Sequence, residues 1–135
     1  MKISREEDYA IALVSALARH YGQGLVSLET IINKHNMPQR FTRGIAAKLQ
    51  KAGLIMSKEG RGGGVALSKK PSEILLSEIL SALDGLPIES HCSNAKHQSH
   101  CPHYNTCSAR KTWEFINESL TKRLGTTSIA QIEKL

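Results

Sequence analysis

Two short apolar runs, Leu54-Ile55-Met56-Ser57 and Val65-Ala66-Leu67-Ser68, enclose the stretch Lys58-Glu59-Gly60-Arg61-Gly62-Gly63-Gly64. Strand, glycine-rich turn and strand predict a β-hairpin. What precedes the hairpin narrows the fold. Ile3, Ala10, Val14, Leu17 and Tyr21 recur at helical spacing, and Ser4 with Glu7 makes a capping box. A first helix is therefore expected from Arg5 to His20, ended by Gly22-Gln23-Gly24. Ser27 is expected to cap a short second helix that turns Leu28, Ile31 and Ile32 inward and closes at His35-Asn36. A third helix runs from near Pro38 to Ala52, with Phe41, Ile45, Leu49 and Ala52 as its apolar stripe and Gly53 as its stop. Three helices followed by a hairpin outline a mainly α chain, a winged helix-turn-helix with a β-hairpin wing.

Beyond the hairpin, Pro71-Ser72 is expected to open a fourth helix containing Leu76, Ile79, Leu80 and Leu83, ended by Asp84-Gly85 and Pro87. Ser108 to Leu124 reads as a long helix with Trp113, Ile116, Leu120 and Leu124 on one face. Gly125 breaks it, and Ser128 to Leu135 is expected to form a short terminal helix. The expected division is a winged helix-turn-helix over residues 1–85, a cysteine-rich loop over 86–107, and a long helix with its tail over 108–135, all within one compact domain. Apolar residues make up 40% of the chain and aromatics only 4%, so aliphatic side chains must carry the core.

A formal net charge of +6 favours a polyanionic partner. In a helix-turn-helix the second helix of the pair enters the major groove and offers its N-terminal side chains to base edges. Here those side chains are Gln39, Arg40, Thr42 and Arg43. Gln pairs bidentately with adenine and Arg with guanine. Ser27 and the amides opening the second helix suit a phosphate, and Lys48 and Lys51 are placed for the DNA backbone. Arg61, on a turn otherwise stripped of side chains, suits a narrow minor groove. The competing interpretation is a solvated helix face, with glycines serving only unusual backbone angles.

All three cysteines, Cys92, Cys101 and Cys107, fall in one polar stretch that also holds His91, His97, His100 and His103. Packing would scatter cysteines through the core; thiolates and imidazoles together point to a bound soft metal. The spacing lacks the paired ligands typical of structural zinc, although a histidine could complete a four-coordinate site. An iron–sulfur cluster tolerates longer spacings and accepts an outside ligand. A thiol switch needs a low-pKa cysteine and a resolving partner. Three unconnected cysteines are the remaining case. Cys107 stands at the start of the long helix, whose N-terminus favours a thiolate.

No run approaches the ~18 apolar residues of a membrane span. The opening Met1-Lys2-Ile3-Ser4-Arg5 lacks a signal-peptide apolar region, and an odd cysteine count fits a reducing compartment. A cytoplasmic location is expected, with no membrane partner. Nucleotide-binding loops, Ser/His/Asp arrangements and paired carboxylates are absent from the sequence, so an enzyme is not expected. An electron carrier, or a protein-binding module on a winged fold, are the competing classes.

Several stretches together carry a resemblance: Met1-Lys2-Ile3-Ser4, Asp8-Tyr9-Ala10, Leu49-Gln50-Lys51-Ala52-Gly53-Leu54-Ile55, Gly60 through Leu67, Leu83-Asp84-Gly85, and then the three cysteines. The chain resembles the iron–sulfur winged-helix transcription regulators that include IscR, NsrR and RirA. The resemblance implies a homodimeric regulator or repressor on a palindromic operator of double-stranded DNA, with the long last helix as dimer interface. It implies a cluster on Cys92, Cys101 and Cys107 that senses iron, nitric oxide or redox state. Arg110 stands where IscR-like members carry a ligating His, which argues against a [2Fe-2S] site of that kind. Asp8 aligns with the carboxylate that NsrR-like members lend from the partner subunit, which favours [4Fe-4S]. As a plain first-turn acid, Asp8 would instead stabilise its helix dipole. The alternative overall is a winged-helix repressor with a structural zinc site or a thiol switch.

Overall fold

The computed structural model describes residues 3–85, 92 and 100–134. Its elements are α1 (Arg5–Arg19), α2 (Leu28–Lys34), α3 (Gln39–Lys51), β1 (Ile55–Lys58), β2 (Gly64–Leu67), a 3-10 turn (Pro71–Glu73), α4 (Leu76–Ser81), α5 (Ser108–Leu124) and α6 (Ile129–Ile132). Three helices, a two-stranded antiparallel hairpin and further helices reproduce the expected mainly α winged helix-turn-helix. Pro87, His91, His97 and most of the expected cysteine loop lie outside the described residues, as do Met1, Lys2 and Leu135.

The start of α1 follows directly from local chemistry. Ser4 Oγ accepts from the Glu7 amide at 3.2 Å, and the Glu7 carboxylate accepts from the Ser4 amide at 2.6 Å. Two otherwise unpaired helix-start donors are thus satisfied reciprocally. Ala10, Leu13, Val14 and Leu17 are buried, whereas Ile3 and Tyr21, expected on the same stripe, are 74% and 45% exposed. Both lie beyond the helix ends, where helical spacing no longer dictates the direction of a side chain.

The helix pair α2 and α3 is joined through Asn36, a residue in the left-handed region at φ 50°. On α3 the expected stripe holds at Ile45 and Leu49 and differs at its two ends. Thr42, Ile45, Ala46 and Leu49 are buried, while Phe41 is 39% exposed and Ala52 is exposed. Buried positions at i, i+3, i+4 and i+7 make one helical face. Phe41 instead meets Tyr9 edge-on, with ring centroids 5.7 Å apart, the arrangement that aromatic quadrupoles favour.

In the hairpin, Ile55 pairs Leu67 and Lys58 pairs Gly64. Val65 also exchanges backbone hydrogen bonds of 2.9 and 2.8 Å with Val26, so the linker before α2 adds a single bridge to the wing. Two turn glycines are dictated by close approach. A Cβ at Gly63 would sit 2.1 Å from the Lys58 carbonyl oxygen, and one at Gly64 would sit 2.4 Å from that of Val26.

The expected fourth helix is split. Pro71–Glu73 forms a single 3-10 turn, Ile74 and Leu75 are extended, and helix resumes at Leu76. The interruption serves a non-local contact: the Leu76 amide donates to Thr127 and the Ile129 amide donates to Ile74, each at 2.9 Å. Ile74, Ile79 and Ile129 are fully buried, joining the α1 and α3 side chains in one core. Glu78 sits at the start of α4. Although burial pushes its carboxyl up, the Leu75 amide and the Lys69 ammonium at 2.8 Å together hold it below its ordinary value.

Candidate nucleic-acid interface and cysteine segment

Burying one face of α3 leaves the opposite face outward. Gln39, Arg40 and Arg43 are exposed along its first turns, and Phe41 is exposed between them. Pro38 precedes them with extended backbone, φ −64° and ψ 117°, and starts the helix without a side-chain cap. The first helical amides therefore lack an internal acceptor. Glu6, Gln39, Arg40, Phe41 and Lys48 contribute to a groove of about 600 Å³ at this end. Arg61 is exposed at the hairpin tip between Gly60 and Gly62, at φ 89° and 76°. The left-handed angles and close approaches account for the glycines by backbone geometry alone. What they leave is a single cation on a narrow tip.

Thr42 requires correction. Expected on the DNA-facing side, it is fully buried, and its Oγ1 has no hydrogen-bond partner. The helical face explains this, because Thr42 lies one turn before the buried Ile45 and Ala46 on the core side. Lys48 is exposed, yet its ammonium lies 2.5 Å from Glu6 on α1. Lys51 is exposed near the end of α3. Ser27 occupies the N-cap position of α2 and is exposed, with no side-chain capping bond. Its hydroxyl is therefore not engaged by α2.

The cysteines carry no disulfide: Cys92 and Cys107 are half-buried and Cys101 is exposed. Cys107 is the N-cap residue of α5 and makes no side-chain cap. Between Cys101 and Cys107 the chain makes two successive turns, the Tyr104 amide donating to Cys101 and the Thr106 amide to His103. Asp8 is exposed in the acidic first turn of α1, beside Glu6 and Glu7. Of the four candidate histidines, only His100 and His103 are among the described residues, and both are exposed. Among the described residues, no three His, Cys, Asp or Glu side chains converge as a metal-ion site. By donor chemistry, three unbridged thiols fit a soft, thiolate-preferring centre with one ligand still to come.

One contact here escaped the sequence. The Arg110 guanidinium lies 4.4 Å from the centroid of the Tyr104 ring, and its Nε donates to the Tyr104 carbonyl at 2.6 Å. Aromatic and Arg at i and i+6 across a helix start is too loose a pattern to announce such a pairing.

Helix α5 has no buried residue, and Trp113 and Phe115 are 46% and 71% exposed. No helix among the described residues is long and apolar enough to cross a membrane.

The chain as a whole is similar to known regulators. T. potens IscR is 26% identical, and its structure superposes with a TM-score of 0.78 over 99% of this chain and 87% of that one. The oxidized form of Staphylococcus aureus CymR is 27% identical, with a TM-score of 0.75 over 100% of this chain and 98% of that one. IscR of Xenorhabdus nematophila is 25% identical over 134 residues, which is 99% of this chain and 80% of that relative. All are regulators by name or family and none is an enzyme, so a DNA-binding regulatory role stands and a catalytic one does not. A family description, iron-dependent transcriptional regulator, matches residues 3–134. Matched over residues 3–134, nearly its whole length, the chain belongs to the Rrf2 family of transcriptional regulators.

Proposed function

We propose that the protein is a homodimeric cytoplasmic transcription regulator whose affinity for a palindromic operator depends on an iron–sulfur cluster, [4Fe-4S] in preference to [2Fe-2S]. Gln39, Arg40 and Arg43 read base edges in the major groove, Arg61 enters the minor groove, and Ser27 and Lys48 meet phosphates. Cys92, Cys101 and Cys107 hold the cluster, with Asp8 of the partner subunit as fourth ligand. Bound there, the cluster supplies a redox-, iron- and nitric-oxide-sensitive centre. A ligand given across the dimer ties its presence to the spacing of two recognition helices. In this proposal residues 1–85 bind DNA, 86–107 sense, and 108–135 pair the subunits. The observation that carries the reading is that every cysteine of a basic winged-helix chain lies unbridged in the one segment joining α4 to α5.

The test is anaerobic purification with iron, sulfide and visible absorbance measured on the same sample, followed by operator titration at fixed salt. The expected result is a coloured protein with matched iron and sulfide, and an operator affinity that changes when the cluster is removed. Replacing all three cysteines by alanine should abolish both signals. A colourless protein with zinc alone overturns the cluster. Staphylococcus aureus CymR, solved in an oxidized form, favours one second reading, a thiol switch on the same three cysteines. That reading predicts operator affinity that follows the thiol oxidation state in metal-free protein.

A further inference from the structure

Cys101, Tyr104, Cys107 and Arg110 follow one another at intervals of three residues. Arg110 reaches back from the first turn of α5 to the middle of the segment between the two cysteines. Its Nε donates to the Tyr104 carbonyl at 2.6 Å and its guanidinium carbon lies 4.4 Å from the ring centroid. A terminal nitrogen pairs with Glu114 one turn further along α5. The Arg110 side chain is only 14% exposed, and Tyr104 is half-buried. Three different interactions thus meet in one planar fork: a charge-assisted hydrogen bond, a cation–π contact and an ion pair.

We propose that Arg110 is a positioning residue for the metal-binding thiols: it staples the Cys101–Cys107 turn onto the start of α5 and so fixes two of the three sulfurs before any metal arrives. The inference rests on the cluster reading above. It gives a role to the residue standing where, by the resemblance, IscR-like members carry a ligating histidine: holding the ligand loop in place of donating to the metal. Charge alone does not explain the arrangement, because a bare cation could lie anywhere near the thiolates. The fork is spent on a carbonyl, a ring and a carboxylate, all outside the sulfurs. Outer-shell contacts of this sort commonly carry 10- to 100-fold of metal affinity.

Arg110→Lys retains the charge and loses the fork; Tyr104→Phe retains both the ring and the carbonyl. In the full-length protein, with far-ultraviolet dichroism as the folding control, two quantities are read. One is the alkylation rate of Cys101 and Cys107 in the metal-free form. The other is the visible spectrum and the rate of cluster loss to a chelator after anaerobic reconstitution with iron and sulfide. Arg110→Lys should alkylate faster at both cysteines, shift the spectrum and lose the cluster about tenfold faster. Tyr104→Phe should match the parent. If the parent takes up a cluster and Arg110→Lys matches it in spectrum, cluster loss and alkylation, the positioning role is overturned while the cluster reading stands. If the parent takes up neither iron nor sulfide, the cluster reading falls and takes this inference with it.

Discussion

The Lys48 ammonium lies 2.5 Å from the Glu6 carboxylate, an ion pair that spans from the recognition helix α3 to the first turn of α1. Both side chains are partly exposed, at 47% and 29%, so solvent screens the pair and its contribution to stability is small. In the proposed complex its larger effect would be on DNA, since a paired ammonium competes poorly for phosphate. Glu6→Gln should therefore raise operator affinity by about two- to fivefold at low salt and steepen the salt dependence by up to about one phosphate contact. An unchanged slope in a fluorescence-anisotropy salt series would remove Lys48 from the interface.

Thr42 hides a hydroxyl that bonds to nothing. Valine has nearly the same shape without the oxygen, so Thr42→Val should raise unfolding free energy by about 1 kcal/mol, the cost of a buried unsatisfied group. Denaturant midpoints measure this. Operator affinity should stay within twofold, because a residue on the core face of α3 touches no base. A tenfold loss of affinity would contradict that placement.

Arg61→Ala should weaken operator binding about tenfold and relax preference at a narrow A·T-rich step, since the turn from Glu59 to Gly63 has no other cation to insert. Gly63→Ala is a contrasting case. Its Cβ would strike the Lys58 carbonyl, so the variant should unfold earlier, by about 1–3 kcal/mol, whether or not DNA is present. Thermal melts with and without operator separate the two effects.

The Glu78 carboxyl is held below its ordinary value by the Leu75 amide and Lys69, against the upward push of burial. A group whose folded pKa is depressed adds stability above its unfolded pKa, near 4.5, and loses it as pH falls through the lower folded pKa. Glu78→Gln should lower stability at pH 7 and narrow the gap to the parent on acidification below that range. Urea midpoints across a pH series would show the convergence; a constant offset would count against it.

Trp113 and Phe115 leave large aromatic surface uncovered on a helix with no buried residue. If α5 joins two subunits, Trp113→Glu should convert dimer to monomer in sedimentation and reduce operator affinity by at least tenfold, because two half-sites must be held together. A monomeric parent protein would exclude the arrangement.

The order of elements is legible in the sequence wherever the determinants are local. Ser4 and Glu7 announce α1, and the hairpin glycines announce a turn whose backbone no other residue would tolerate at Gly63. On α3 the middle of the stripe, Ile45 and Leu49, is legible, but its first position is misread because Phe41 is the bulkier apolar candidate, whereas the core accepts the small Thr42 and leaves the ring to Tyr9. The break before α4 is invisible because its cause, pairing with the Thr127–Ile129 segment, lies more than fifty residues away in sequence. The cysteines are recognisable as soft donors from their clustering. A ligand from outside the segment, such as the proposed Asp8, rests on resemblance alone, since metal ligands are assembled in space, and the Arg110 contact escapes because its hydrogen-bond partner is a backbone carbonyl.

Among the described residues, the end of helix α5 at Gly125 is the fastened one: the segment beyond it is stitched to Ile74 and Leu76, and Ile129 drops into the core. Its seventeen residues make a rod about 25 Å long, with Cys107 at the far tip. Leverage follows: a pivot of about 10° at the stitched base displaces that tip by about 4 Å, roughly two metal–sulfur bond lengths. In the proposed dimer, small adjustments in how two such rods lie together would be magnified at the sulfur end, and a ligand gripping the sulfurs would in turn dictate the angle of the rods.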